Sequence, residues 1–445
     1  MMTLRTALQQ LKRKSSHSIN DLEITGTVVR ISGVLLEAHG LKVAIGSICK
    51  IKFSVHDEAG LLAEVIGFAG QSTFLMTFAE PYGILPGAEI QWIASSFMVP
   101  VGPSLMGRVI NGFCLPIDNK GALETLIHYP TTSPAINPID RKRISEPLDV
   151  GIKAINGLIT VGMGQRLGIF AGSGVGKSVL LGMMTRYSQV QVIVVGLIGE
   201  RGREVKEFIE ENIGENHLKK TVILAAPSDA SPLERTNGVL CAASIAAYFR
   251  DQGMDVLLIV DSLTRYAQAL RQIYLLLGEP PSTRGYSPSV FSKISQLIER
   301  CGYGHDGKGS ITAFFTVLTE GDDQNDPVAD HARSILDGHI VLSRKLAEAA
   351  HYPAIQISTS ISRVMPSVVD KKHHMLAMRF KQLYAHLMEN QDLVSMGMYK
   401  EGSDPLLDEA LKKQSAMFNF LKQEVDERQT FSETLAQLEN LLKES

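Results

Sequence analysis

The sequence predicts three parts in chain order: a small all-β barrel or sandwich, an α/β core built on a parallel sheet around a phosphate-binding loop, and a helical domain. Three observations carry this. Short runs rich in β-branched and apolar residues crowd residues 22–95, punctuated by Gly, Pro, Asp and Ser. From about 151 to 365, continuous apolar runs such as Val192–Leu197, Val222–Ala225 and Val256–Val260 alternate with helical patterns, as buried parallel strands do. After Asp370 the stretches Met375–Met388 and Leu406–Leu421 are amphipathic at helical spacing. A chain of 445 residues fits about three domains at roughly 150 residues each. The expected division is 1–21, 22–95, 96–369 and 370–445.

Residues 1–20 carry Arg5, Lys12, Arg13 and Lys14 and no acid, with Leu4, Ala7, Leu8 and Leu11 at helical spacing. This basic amphipathic segment is either a solvated terminus or a docking helix for a partner or an anionic membrane surface. The expected strands of this all-β part are Ile24–Ile31, Val34–Ala38, Ile48–Phe53, Ala63–Phe68, Thr73–Phe78 and Glu89–Ile93. Trp92, the only tryptophan, falls in the last of them and is expected in the core. Residues 96–150 form a connector rich in Pro and Gly, counted here with the α/β core. The tail from Glu424 to Ser445 is charged and helical.

Composition narrows the function. Lys and Arg number 44 against 47 Asp and Glu, for a net charge of −3, whereas a general duplex-DNA binder carries a basic excess. No nucleic-acid partner is expected. Cys49, Cys114, Cys241 and Cys301 are widely spaced and form no metal pattern, which fits reduced thiols in a cytosolic protein. No apolar run approaches the roughly 20 residues that span a bilayer, and residues 1–20 lack the apolar stretch of a secretory signal. Any membrane association is expected to be peripheral.

The run Ala171-Gly172-Ser173-Gly174-Val175-Gly176-Lys177-Ser178 matches the phosphate-binding P-loop, except that Ala171 stands where the strict pattern has Gly. Arg166–Phe170 before it reads as a strand and Ser178–Arg186 after it as a helix, the context the motif requires. Glycines let backbone N–H groups close around phosphates, and the helix N-terminus adds a positive dipole end. Lys177 is expected to reach the β- and γ-phosphates of ATP, and Ser178 to ligate Mg²⁺. Val256–Asp261 is an apolar strand ending in a carboxylate, and Asp261 is expected to hold Mg²⁺ through water.

Val194–Ile198 is a further buried strand, and Glu200 follows its C-terminal end, where α/β sheets place ligands. Glu200 either orients the attacking water or is a solvated loop acid. Arg201 and Arg265 either face phosphate oxygens or pair with local acids. Arg363, in the Ser-rich segment Ser358–Arg363, cannot be assigned by spacing; one reading is an arginine finger donated to a neighbouring subunit.

Together these motifs resemble the F1/V1-type rotary ATPase superfamily with its RecA-like core, and within it the flagellar export ATPases of the type III secretion branch. The stretches that carry the resemblance are Val99–Gly107, Glu146–Met183, Gly196–Glu207, Leu257–Ala267, Gly278–Phe291, Leu318–Leu346 and His351–Met365, within roughly residues 22–425. The resemblance implies that Glu200 is the catalytic carboxylate and that Arg201 and Arg265 face phosphate. It implies that Arg363 is donated across a subunit interface and that Tyr352 stacks on adenine; without the family, Tyr352 reads as core.

The same resemblance implies Mg²⁺-dependent ATP hydrolysis by a homohexameric ring that energises flagellar protein export. The implied partners are an export-stator regulator, chaperone–substrate complexes and an export gate. The implied place is the cytoplasm, peripheral at the cytoplasmic face of the inner membrane. Rival readings are an injectisome ATPase, the catalytic subunit of a proton-driven ATP synthase, a hexameric RNA translocase and a nucleotide-locked scaffold. The RNA reading asks for exposed aromatics among Phe53, Phe68, Phe74, Phe78, Tyr82 and Trp92, few of which occupy exposed-looking positions. Intact Lys177, Glu200 and Asp261 speak against the scaffold.

Overall fold

The computed structural model describes residues 24–53, 60–125, 127–132, 136–305, 308–319 and 326–443. The basic segment 1–21 lies outside the described residues. The chain divides into two compact units between Phe97 and Met98.

In the first unit, Thr25–Ser32, Leu35–His39, Ile48–Ile51, Leu61–Ala69, Ser72–Thr77 and Glu89–Ala94 close into an antiparallel barrel. Each of the six expected runs is a strand, with ends moved by one or two residues. Alternation along the strands puts Val28, Leu36, Ala38, Cys49, Ile51, Val65, Leu75 and Ile90 inside. Trp92 corrects the expectation: it is 36% exposed. Trp92 pairs in register with the buried Cys49 yet stays partly exposed, and the register slip between Cys49 and Ile48 leaves Ile93, also exposed, without an opposite residue. Phe68 and Tyr82 are also exposed, more aromatic surface than the sequence suggests.

The second unit centres on a nine-stranded sheet. From one edge the strands are Ile361–Ser362, Gly338–Val341, Arg166–Ala171, Ser310–Leu318, Val256–Asp261, Val192–Ile198, Thr221–Ala226 and Val109–Asn111. Gly302–Tyr303 pairs with Ser310–Leu318 off this path. Neighbours from Gly338–Val341 to Val109–Asn111 are parallel; Ile361–Ser362 and Gly302–Tyr303 run antiparallel. Val192–Ile198, Thr221–Ala226 and Val256–Asp261 are buried at every residue, because helices cover both faces of a parallel sheet. Pro232–Asp251 is one such helix; Pro232 opens it and Ser231 caps it by accepting from Glu234 N.

Four helices follow Asp370: Lys371–Glu389, Gln391–Ser395, Pro405–Leu421 and Phe431–Leu442. Asp370, Asp404 and Thr430 cap three of them. Phe380 packs on Tyr384 and Phe420, and the Phe420 ring lies close enough to Gly157 that a Cβ there would come 3.0 Å from it. Gln423 ties these helices to the core, accepting from Lys153 N at 2.7 Å and donating to Gly151 O at 2.8 Å. All four cysteines are buried thiols that form no disulfide, and burial pushes the Cys49 and Cys301 thiols up to about 11. Among the described residues no helix is long and apolar enough to cross a membrane.

Candidate nucleotide site

The strands Arg166–Ala171, Ser310–Leu318, Val256–Asp261 and Val192–Ile198 are parallel neighbours, so their C-terminal ends share one edge of the sheet. The P-loop leaves that edge after Ala171 and enters the helix Lys177–Tyr187. Gly174 and Gly176 have φ of 77° and 83°, the left-handed region that glycine tolerates. Tyr352 covers this turn: a Cβ on Gly176 would come 3.3 Å from its ring. Tyr352 is 44% exposed rather than core.

Lys177 lies between two strand-end carboxylates. Its Nζ donates to Asp261 Oδ1 at 2.6 Å and to Glu200 Oε1 at 3.0 Å. Burial opposes charge on Lys177, but Asp261 and Glu200 outweigh it and hold its pKa above the usual lysine value. Burial pushes the Asp261 carboxyl up against the pull of Lys177.

Sequence reasoning missed Thr316. It sits in the strand between the P-loop strand and the Asp261 strand, and its Oγ1 donates to Asp261 Oδ1 at 2.6 Å. The available signal was a hydroxyl within the apolar run Ser310–Leu318. Thr316→Val is expected to leave Asp261 short of a buried donor, at a cost of about 1–3 kcal/mol. A lower midpoint of thermal unfolding and a several-fold loss of ATP turnover check this; wild-type values for both would refute it.

The arginines are placed differently from one another. The stem of Arg265 lies on Gly199, where a Cβ would come 2.7 Å from its Cβ and Cγ, and its Nη1 donates to Gln268 Oε1 at 3.0 Å. Arg201 is not brought into the Lys177 cluster. Its side chain is 81% exposed, 3.7 Å from Glu204. Arg363 lies at the other edge of the sheet. Its N donates to Asp337 O, and Asp337 N donates to Arg166 O, at the start of the P-loop strand. Its exposed guanidinium donates to Arg333 O at 3.2 Å.

Among the described residues no group of three or more His, Cys, Asp or Glu could cage a metal. One buried carboxylate, Asp261, and one half-buried hydroxyl at a helix N-terminus, Ser178, remain near the loop. That donor set suits Mg²⁺, a hard cation that keeps several waters and binds through one or two carboxylates plus substrate phosphates.

A lysine already balanced by two acids is drawn away only by a stronger anion, and the adjoining turn is shaped for phosphates. The fold and cleft therefore define a P-loop ATPase with a RecA-like parallel core. Family models agree along the chain. Residues 28–91 match the ATP synthase alpha/beta family beta-barrel domain, and 151–362 its nucleotide-binding domain. Residues 369–440 match the T3SS EscN ATPase C-terminal domain. The chain is 53% identical over 420 residues to the flagellum-specific ATP synthase of Pseudomonas aeruginosa, covering 94% of this chain and 93% of the relative. It is 52% identical over 422 residues to that of Salmonella typhimurium, covering 93% and 92%. The assembled ATPase EscN of the enteropathogenic E. coli type III secretion system superposes with a TM-score of 0.88 at 42% identity, covering 94% of this chain and 100% of that one. The structure of EscN with its central stalk EscO gives 0.87 at 40% identity, with the same coverage. The chain belongs to the flagellum-specific ATP synthase family.

Proposed function

We propose that the chain hydrolyses ATP as a homohexameric ring and energises flagellar protein export. The observation that carries the chemistry is Lys177 held between Glu200 and Asp261 beside the glycine turn. The backbone of Gly172, Ser173, Gly174, Val175 and Gly176 cradles the phosphates, and Tyr352, over Gly176, receives the adenine. An incoming triphosphate competes for the Lys177 ammonium. The lysine turns to the β- and γ-phosphates, and Glu200 is released to hold the attacking water in line. Ser178 and, through water, Asp261 would hold Mg²⁺, which supplies neutralisation of phosphate charge when bound. Arg265 stands beside Gly199, and Arg201 is exposed enough to swing onto the phosphates. A neighbour's Arg363 completes the cationic surround of the transition state.

Identity to the flagellum-specific relatives supports the export role. A regulator of the stator type, chaperone–substrate complexes and the export gate are its proposed partners, at the cytoplasmic face of the inner membrane. EscN is assembled and carries a central stalk; a ring with a stalk-like partner is proposed here by that likeness. The test is specific ATPase activity against protein concentration, with and without anionic lipid. Activity per molecule should rise cooperatively with concentration and shift to lower concentration on lipid. A flat profile, the same with lipid, would remove the ring from the mechanism.

A further inference from the structure

The segment that leads to Arg363 is a two-residue edge strand, Ile361–Ser362, paired only with Gly338–Val341 among the described residues. Strands usually run several residues longer, so this one has little ladder of its own, and the side chains around it set where Arg363 leaves the sheet. The nucleotide-binding core holds the segment at several points. His339 Nε2 donates to Thr359 O at 2.9 Å, Gln165 Nε2 donates to Ser362 Oγ at 3.0 Å, and Arg363 N donates to Asp337 O at 3.0 Å. The helical domain adds Lys381, on the helix Lys371–Glu389, whose Nζ donates to Ser360 O at 3.2 Å.

Lys381 is half-buried, burial pushes its pKa below the usual lysine value, and among the described residues it forms no ion pair. Desolvating an ammonium without a counter-charge is costly, and an apolar side chain of similar length would suit the fold better. What the ammonium supplies is a charge-assisted hydrogen bond to the carbonyl three residues before Arg363. Ser360 is 3% exposed; its Oγ donates to Gln356 O at 2.6 Å and accepts from Val341 N at 3.0 Å. It is therefore a fixed point from which the chain runs out to Arg363. Beyond Arg363 the chain turns through Met365–Val368 into the helix that carries Lys381. The Lys381–Ser360 bond thus closes a loop of chain that includes Arg363.

We propose that Lys381 is a positioning residue for Arg363: by holding Ser360 O it fixes the direction in which the guanidinium is offered to a neighbouring copy's cleft. The inference rests on Arg363 acting in trans. Its test uses the full chain as wild type, Lys381→Met and Lys381→Arg, and reads kcat, ATP KM, equilibrium ATP binding and the thermal midpoint. Lys381→Met should lose about ten- to a hundredfold in kcat, the scale of a small displacement of a catalytic group, while ATP KM and ATP binding hold. Its thermal midpoint should stay or rise, since an uncompensated charge is gone. Lys381→Arg restores a charged donor and should regain most of the turnover. Lys381→Met is then mixed with Lys177→Ala or with Arg363→Ala, and gel filtration follows co-assembly. Lys177→Ala should raise the activity, because its copies bring a well-placed Arg363 to intact clefts. Arg363→Ala should give no gain, because neither variant brings one.

Wild-type kcat in Lys381→Met beside an inactive Arg363→Ala would overturn the positioning role and leave the finger standing. A gain on mixing with Arg363→Ala would overturn it too, and would place the action of Lys381 in its own copy's cleft. A lowered thermal midpoint, failed assembly, an equal loss of ATP binding and turnover, or an inactive Lys381→Arg would each overturn it in favour of a structural role. The finger reading fails separately, and takes this inference with it, if Arg363→Ala alone hydrolyses ATP normally.

Discussion

Glu200→Gln is expected to lower ATP turnover by about 10²–10⁴-fold, the range set by loss of a positioned general base. ATP should bind at least as tightly as in wild type. The reason is local. Glu200 and Asp261 both hold the Lys177 ammonium, at 3.0 and 2.6 Å. Removing the charge of Glu200 leaves one carboxylate competing with the phosphates for that lysine. The amide keeps the size of the side chain and its half-buried seat, and Ser228 N still donates to the Glu200 backbone carbonyl at 2.9 Å. What is lost is the ability to draw a proton from water. Single-turnover hydrolysis beside equilibrium binding of ATP separates the two effects. Normal turnover would move the base elsewhere, and a parallel loss of binding would show that Glu200 shapes the cleft rather than the attack.

The sequence carried the elements well and their neighbours poorly. Val192–Ile198 and Val256–Asp261 announce themselves as strands because every residue is apolar until the final carboxylate. Lys177 and Asp261 were legible because the loop and the strand each have a chemical reason for their residue order. Thr316 was not, since nothing in Ser310–Leu318 says that this strand inserts between the other two. Trp92 was misplaced because alternation along one strand does not reveal how much of a side chain its neighbours cover: it pairs with the buried Cys49 and is still 36% exposed. Spacing left Arg363 unassigned, because its position depends on a short antiparallel strand at the sheet edge.

That edge position gives the second large expectation. Arg363 is tied through Asp337 to Arg166, the first residue of the P-loop strand, whereas the phosphate loop follows Ala171, the last. Five residues of strand put about 17 Å between the two levels, more than an arginine side chain spans. Arg363 therefore does not reach its own Lys177 cleft in this fold, and its exposed guanidinium faces outward. If it acts in catalysis, it acts on another copy. Arg363→Ala should then keep nucleotide binding and lose about 10³–10⁵-fold in turnover, the worth of an arginine finger. Lys177→Ala should be inactive for the opposite reason. Mixing the two inactive variants should restore activity, because a copy with an intact Lys177 can sit beside a copy with an intact Arg363. With random mixing in a closed head-to-tail ring, about one interface in four is competent. A mixture that stays dead, although gel filtration shows the two variants assembling together, would place the missing positive charge within a single copy and return Arg363 to a structural role at the sheet edge.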